Sequence, residues 1–167
     1  MDYPDSPMSV EELRDREFWG EVVRGEESLG SVYLLDPLRR ITMVRDGVPA
    51  DVLPTLSREM AMPREKLYAT LGLARATANR KLQAGQRLNA DESERVLGIL
   101  RLVGQAEAIV TESGAAEGFD APKWVAAWLD RPVPALDGRR PGELMDTAEG
   151  RELVSNLLAR MQSGAYA

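Results

Sequence analysis

The 167-residue sequence lacks the two side chains that enzymes and metal sites use most. It has no cysteine, which excludes a disulfide framework, a thiolate nucleophile and a zinc–sulfur site. It has no histidine, which removes the commonest general base near neutral pH and the commonest metal ligand. Carboxylate and lysine chemistry remain open, but no Gly-rich phosphate loop, nucleophile elbow or clustered-aspartate metal motif is present. We therefore expect a protein that is not an enzyme and that needs neither a metal nor a cofactor.

Long apolar runs are also missing. No segment approaches the ~18 apolar residues that span a bilayer, and the first residues have neither a basic start nor an apolar core. Apolar residues still make up 44% of the chain, which is typical of a folded protein. These features predict a soluble, cytoplasmic protein with no membrane partner.

Helix signals are frequent, whereas strand signals are scarce. Ser9 and Asn89 each precede a glutamate by three residues, the capping-box pattern that begins a helix. Asp36-Pro37 combines an N-cap with proline at the first helical position, and Pro63 begins another helix. The one candidate strand, Ser31–Leu35, has no obvious partner. The fold class is predicted to be all-α.

Apolar spacing predicts which helix faces point to the core. In the helix that follows Asp36, we expect the inward residues to be Leu38, Ile41 and Val44. In the last helix, which Thr147 caps, we expect them to be Leu153, Val154, Leu157, Leu158 and Met161.

Charge is distributed unevenly along the chain. The formal net charge is −6, but residues 61–90 hold six Lys and Arg against one acid, a net charge of +5. The segments before and after carry −6 and −5. A basic segment in an otherwise acidic protein suits a surface that reads DNA, although a solvated charged face is the alternative.

The basic segment contains a helix-turn-helix pattern. Residues 63–82 hold two short predicted helices separated by Gly72, which permits the reversal between them. The contacts expected to fix the helix crossing are Leu67, Leu71, Leu73, Ala78 and Leu82. The side chains expected to point outward and bind DNA are Arg75, Thr77, Asn79, Arg80 and Lys81, types that suit base edges and phosphates in the major groove.

This pattern resembles the Xre-type helix-turn-helix of bacterial repressors. Tyr68 departs from it, because a small residue is usual there, and it is expected to widen the helix crossing or to lie at its edge. An ordinary helical hairpin is the competing interpretation.

The C-terminal 45 residues carry a more specific signature. Its fixed positions include Trp128-Leu129, Pro132-x-Pro134-Ala135-Leu136, Gly138, Pro141, Glu143-Leu144, Asp146-Thr147, Gly150, Val154, Leu157-Leu158-x-Arg160 and Gly164. This set closely resembles the toxin-binding domain of the Xre/MbcA/ParS antitoxin family. The resemblance extends upstream through residues 36–111, and it implies an antitoxin of a type II toxin–antitoxin system that represses its own operon.

The resemblance implies a toxin of the RES-domain class, which consumes NAD⁺ and is bound by the C-terminal helix and tail. On this chain the implied toxin-binding residues are Arg160, Gly164, Ala165, Tyr166 and Ala167. The tail suits a narrow pocket, because its alanines are slim, its tyrosine offers a ring and a hydroxyl, and its carboxylate could accept an arginine. A frayed terminus is the alternative.

The predicted organisation has four parts. Residues 1–35 form an N-terminal extension, partly helical or disordered; residues 36–112 form the DNA-binding domain; residues 113–119 form a linker; and residues 120–167 form the toxin-binding domain. Partners are operator DNA, the cognate toxin and a second copy of the chain, since such repressors pair on two-fold operators. A dimeric repressor without a toxin and a pure toxin inhibitor without DNA binding remain alternatives.

Overall fold

The structure is a computed structural model that describes residues 8–162. Within this range, the chain forms helices and no strand, and the all-α prediction is confirmed. The α-helices are α1 (Val10–Arg24), α2 (Pro37–Asp46), α3 (Val52–Glu59), α4 (Arg64–Leu71), α5 (Arg75–Gln83), α6 (Ala90–Glu112), α7 (Ala121–Leu129) and α8 (Ala148–Gln162). Three 3₁₀ helices span Leu29–Leu34, Pro134–Leu136 and Pro141–Leu144.

Local sequence explains where these helices begin and end. Ser9 and Asn89 both form the predicted capping boxes, in which the cap side chain accepts a backbone N–H and the glutamate three residues later accepts one in return. Asp36 caps α2 by accepting the N–H of Leu38. Gly25 ends α1 with a φ of 74°, a left-handed conformation that glycine adopts without strain.

The long helix α6 is the centre of the fold. It packs against the first 3₁₀ helix and against α2, α4, α7 and α8, so most of its surface is covered. Helix α1 and the first 3₁₀ helix share the same hydrophobic core, because Trp19, Val22 and Val32 are almost fully buried. Val125 of α7 and Val154 of α8 belong to that core as well. The helices on either side of α6 therefore stabilise one another through it.

The first four residues of the segment predicted as a possible strand, Ser31–Leu35, instead lie in the 3₁₀ helix Leu29–Leu34, and Leu35 is its C-cap. Ser28 caps this helix by accepting the N–H of Gly30. Gly30 lies directly against Gly104 of α6, where a Cβ on either residue would collide with the other backbone. The strand prediction is wrong because the segment pairs with a helix, and two glycines permit the close crossing.

Two predicted inward faces are also wrong in part. Leu38 and Ile41 of α2 are 73% and 45% exposed, and Val44 alone of that set packs against the core. Each three-residue step falls about 60° short of a full turn, so residues 38, 41 and 44 spread over about 120° of the helix surface. In α8, Leu153 and Met161 are both 43% exposed, whereas Val154, Leu157 and Leu158 are buried as predicted.

Candidate functional site

Helices α4 and α5 form the predicted helix-turn-helix. Gly72 ends α4 in the left-handed conformation, with a φ of 63°. Arg95 of α6 supports the turn, because its Nη1 donates to the carbonyl oxygen of Gly72 at 2.6 Å while its Nη2 binds Asp91 at 2.5 Å. Of the residues expected to fix the helix crossing, Leu67, Leu71, Leu73 and Ala78 are buried and Leu82 is half-buried.

Tyr68 lies between the two helices rather than at their edge. It is buried, and its hydroxyl donates to Oδ1 of Asn79 at 3.1 Å. Asn79 is therefore only partly exposed, with its amide oxygen held by α4. The tyrosine therefore fixes the orientation of one predicted DNA-binding side chain.

Two of the predicted DNA-binding residues, both arginines, are exposed on α5. Arg75 is exposed and bonds Glu65 at 2.8 Å, an ion pair open to solvent. Thr77 is half-buried. Arg80 is exposed, and within residues 8–162 it forms no ion pair. Because exposed pairs hold their partners only weakly, Arg75 can leave Glu65 and turn toward a phosphate.

The expectation that Lys81 points outward is wrong. Its ammonium group bonds Glu92 of α6 at 2.6 Å, and the two side chains are only 14% and 12% exposed. Burial acts to raise the pKa of Glu92, but hydrogen bonds from Lys81 and the Asn89 backbone outweigh it and hold that pKa below its ordinary value. Lys81 joins α5 to α6, and the sequence pattern missed this because the partner lies on another helix.

Two exposed arginines beside α4 and α5 were not assigned by the sequence pattern. Arg64 lies in the first turn of α4. Arg87 follows α5, and its Nη1 donates to the carbonyl oxygen of Gly47 at 2.6 Å. The basic segment could have indicated both, since they belong to its +5 charge. In the basic segment 61–90 the exposed cations are thus Arg64, Lys66, Arg75, Arg80 and Arg87, and Lys66 is paired with Asp130.

The C-terminal module contains α7, a turn-rich loop and α8. Trp124 and Trp128 stack at 5.9 Å between ring centroids, and Pro141 is buried. Gly150 lies so close to the carbonyl of Leu144 that a Cβ there would collide with it. The glycine, proline and tryptophan positions of the sequence signature thus fix the packing of this loop.

The C-terminal module contacts the helix-turn-helix as well as α6. Lys66 of α4 bonds Asp130 at 3.0 Å, an exposed pair that joins α4 to the end of α7. On α6, Gln105 donates to the backbone carbonyl of Ser155 at 2.9 Å and accepts the hydroxyl of the same serine at 2.7 Å. A groove of about 750 Å³ lies between α2, α6 and α8.

The outer side of α8 carries the exposed apolar residues of the C-terminal module. Leu153 and Met161 are exposed there, and Arg160 of the predicted toxin-binding set is exposed between them. The other members of that set, Gly164, Ala165, Tyr166 and Ala167, lie outside the described residues.

Comparison with known proteins matches both modules. The family model described as the antitoxin Xre-like helix-turn-helix domain matches residues 39–101. The one described as the antitoxin Xre/MbcA/ParS C-terminal toxin-binding domain matches residues 105–164. The chain is a helix-turn-helix protein with an appended toxin-binding domain, which is an antitoxin architecture.

Whole-chain relatives lead to the same family. A protein of Sphingobium sp. (strain YBL2) named "Prs ADP-ribosylating antitoxin" is 43% identical over 137 residues, covering 82% of this chain and 86% of the relative. An "Antitoxin Xre" of Pseudomonas putida is 25% identical over 157 residues, covering 94% and 92%. An "Antitoxin Xre" of Yersinia enterocolitica is 22% identical over 126 residues, covering 75% and 80%. The chain belongs to the Xre/MbcA/ParS family of antitoxins, as its sequence signature indicates.

Proposed function

We propose that this antitoxin inhibits an NAD⁺-consuming toxin of the RES-domain class and represses its own operon by binding operator DNA. The observation that carries the proposal is the separation of two accessible surfaces. Exposed arginines lie on and beside α5, whereas exposed apolar residues lie on the outer side of α8. One chain can therefore hold DNA and toxin at the same time, and the boundary between the two modules is proposed at residues 113–119.

The toxin surface is proposed to be the outer side of α8 together with the tail. Leu153 and Met161 offer apolar area, and Arg160 offers a guanidinium that can bind a carboxylate or phosphate. Gly164–Ala167 follow directly and would enter the toxin's nucleotide pocket. The Sphingobium relative's name refers to ADP-ribosylation of Prs. Since ADP-ribosylation consumes NAD⁺, that name supports an NAD⁺-consuming toxin as the partner of this chain.

The DNA surface is proposed to be α5, with Arg80 and Arg75 as its leading cations. Thr77 and Asn79 would add hydrogen bonds, although Asn79 can offer only the groups that Tyr68 leaves accessible. Lys81 is not assigned to DNA binding, because its ammonium group forms an ion pair with Glu92. Binding should weaken steeply with salt, since phosphate contacts release counterions.

The toxin proposal is tested with the product of the adjacent gene, if that gene encodes a RES domain. Leu153→Glu and deletion of Ala165–Ala167 should each reduce rescue of cell growth, whereas Leu13→Glu on α1, an exposed leucine of comparable accessibility, should not. A C-terminal tag should interfere and an N-terminal tag should not. Equal rescue by full-length and truncated protein would exclude the tail as an inhibitor.

The DNA proposal is tested with the chain's own promoter fragment. Arg80→Ala should lower affinity about tenfold at fixed salt, and the slope of log affinity against log salt should fall by about 1 per protomer. The matched control is Arg139→Ala, because Arg139 is an exposed arginine on the other module. Toxin neutralisation should survive both changes. Unchanged affinity of the Arg80 variant would remove α5 from the assignment.

We further propose that the chain has no enzymatic activity and acts in the cytoplasm, where its operator and toxin are found. Among residues 8–162, no group of carboxylates is placed to hold a metal ion. In the same range, no helix is long and apolar enough to cross a membrane.

A further inference from the structure

The groove between α2, α6 and α8 gathers positive charge from all three helices. Its volume of about 750 Å³ lies within the range of ~300–1,000 Å³ that is typical of sites for small ligands. Two glutamates, Glu94 and Glu152, also line it, so the groove keeps a net charge of +2. The arginines that line it are Arg40 and Arg45 of α2, Arg101 of α6 and Arg151 of α8.

These four groove arginines differ from other arginines of the chain in their lack of acidic partners. Within residues 8–162, none of them forms an ion pair, and neither do the two groove glutamates. Arg39 and Arg95, by contrast, each pair with an aspartate. Acidic residues are not scarce in this chain, which has 27 Asp and Glu against 21 Lys and Arg. The positive charge of the groove is therefore left open to an anion from outside.

Two of the groove arginines lie close enough to repel each other. Burial lowers the pKa of Arg40, and the positive charge of Arg101 lowers it further, which outweighs the attraction of Asp36. Arg101 itself is exposed. An anion between the two guanidinium groups would replace this repulsion by attraction to both.

The backbone holds two of the groove arginines in place. The Nη1 of Arg40 donates to the carbonyl of Tyr33 at 3.1 Å, and the Nη1 of Arg151 donates to that of Met145 at 3.1 Å. Gly98 of α6 makes room for Arg151, because a Cβ on Gly98 would lie 2.4 Å from its Cδ. The Nε and Nη2 of both arginines form no hydrogen bond within the described part of the chain. These donors are therefore preorganised for a ligand, which lowers the entropy cost of binding one.

Apolar surface lies next to the groove arginines. Leu97, Leu102 and Met145 line the groove and are buried, so they form its floor. Tyr33 and Ile41 line it as well and are 37% and 45% exposed, so they offer an aromatic ring and an aliphatic side chain to a bound molecule. A ligand that combines phosphate groups with a flat ring matches both parts of this surface.

We propose that the groove between α2, α6 and α8 is a binding site for a nucleoside diphosphate. The groove arginines hold its phosphate groups, since a guanidinium donates two parallel hydrogen bonds to phosphate oxygens, and the apolar surface holds its base. Helices α2 and α6 belong to the module with the helix-turn-helix, whereas α8 belongs to the C-terminal module. The ligand thus contacts both modules. The proposal rests on neither the operator nor the toxin, and it is tested on the free chain.

The first test measures thermal unfolding of the purified full chain, without toxin or DNA, in buffers of equal ionic strength. ADP is the probe, because it combines a diphosphate with an aromatic base. At about 5 mM, ADP should raise the Tm by roughly 3 °C or more, since a ligand that binds only the folded chain stabilises it. Adenosine, which lacks phosphate, and pyrophosphate, which lacks a base, should each raise the Tm by less than about 1 °C at the same concentration.

The second test removes one groove arginine that forms no internal hydrogen bond. Arg101→Ala should raise the dissociation constant for ADP, measured by calorimetry, at least about tenfold, because it removes a charged donor to phosphate. The Tm of the free variant should equal or exceed that of the wild type, since the repulsion on Arg40 is relieved. Arg101→Lys should retain part of the affinity. Arg14→Ala is the matched control, because Arg14 is exposed on α1 and forms no ion pair within residues 8–162, and it should bind ADP like the wild type.

Hydrogen exchange locates the bound ligand. ADP should slow exchange in α2 and in the first half of α8, because it contacts both helices. Slower exchange confined to α5 would mean that ADP binds the DNA surface, and the proposal would be wrong. It would also be overturned by an unchanged Tm of the wild type in ADP, by an affinity that survives Arg101→Ala, or by an equal Tm shift from pyrophosphate. If Arg101→Ala weakens promoter binding while ADP has no effect, the groove contacts DNA instead of a nucleotide.

Discussion

Replacing Lys81 by methionine removes the cation of the Lys81–Glu92 pair and retains most of the aliphatic stem. The neighbouring substitution Arg80→Ala removes a cation from the same helix, but one that is exposed. Both residues were expected to bind DNA, but the side chain of Lys81 is paired and largely buried, whereas that of Arg80 is exposed. Lys81→Met should therefore lower stability, whereas Arg80→Ala should lower DNA affinity alone.

The size of the stability loss follows from the burial of the pair. Exposed ion pairs are worth about 0–1 kcal/mol, and removing one partner of a fully buried pair costs about 3–5 kcal/mol. Lys81 and Glu92 are 14% and 12% exposed, and Glu92 keeps its hydrogen bond from the Asn89 N–H at 2.9 Å. We expect a loss of about 2 kcal/mol, which lowers Tm by roughly 4–8 °C in a protein of this size.

Thermal unfolding followed by circular dichroism measures this loss, and pH provides a further check. The pKa of Glu92 lies below its ordinary value of 4.5, so its ionised form stabilises the fold above that pH, and this contribution is lost as pH falls through the lowered pKa. The difference in Tm between wild type and Lys81→Met should thus persist at pH 7 and shrink below about pH 4.5. Equal Tm values for Lys81→Met and Arg80→Ala at pH 7 would refute the assignment.

Three further substitutions test other contacts. Gly104→Ala should lower the free energy of unfolding by about 3 kcal/mol or more, because its Cβ would collide with the backbone of Gly30. Gly20→Ala is the control: its Cβ meets only the end of a flexible arginine side chain, so the change should be neutral or stabilising. Glu107→Gln should raise Tm at pH 7 and should raise it less below about pH 4.5, because burial raises the pKa of Glu107 and so disfavours its ionised form in the fold. Tyr68→Phe should weaken promoter binding several-fold in fluorescence anisotropy while the Tm falls by less than about 5 °C, because Asn79 loses its hydrogen bond. An unchanged anisotropy curve would mean that the orientation of Asn79 has no part in DNA binding.

Features that depend on neighbouring residues could be predicted from the sequence. The capping boxes at Ser9 and Asn89 and the left-handed glycine at Gly72 are set by a few adjacent residues, and all three occur where expected. The C-terminal signature is also local, since its prolines and glycines fix the conformation of one loop. The family could therefore be predicted from this stretch of sequence.

Features that depend on distant residues could not be predicted. The exposure of Leu38 depends on how α2 is oriented against α6, and the sequence of α2 alone does not determine that orientation. Lys81 was assigned outward because its partner Glu92 belongs to another helix, and a helical pattern does not show which polar residue finds a partner. Gly30 and Gly104 are 74 residues apart in sequence, so their close approach leaves no local signal.

Titration of the purified toxin with this protein tests the central claim most directly. NAD⁺ consumption by the product of the adjacent gene, which we propose to be a RES-domain toxin, would be followed while full-length antitoxin is added. The account predicts that activity falls to background near a fixed molar ratio, and that Arg80→Ala inhibits as well as the wild type while Leu153→Glu requires a large excess. Undiminished NAD⁺ consumption in the presence of excess wild-type protein would contradict the account.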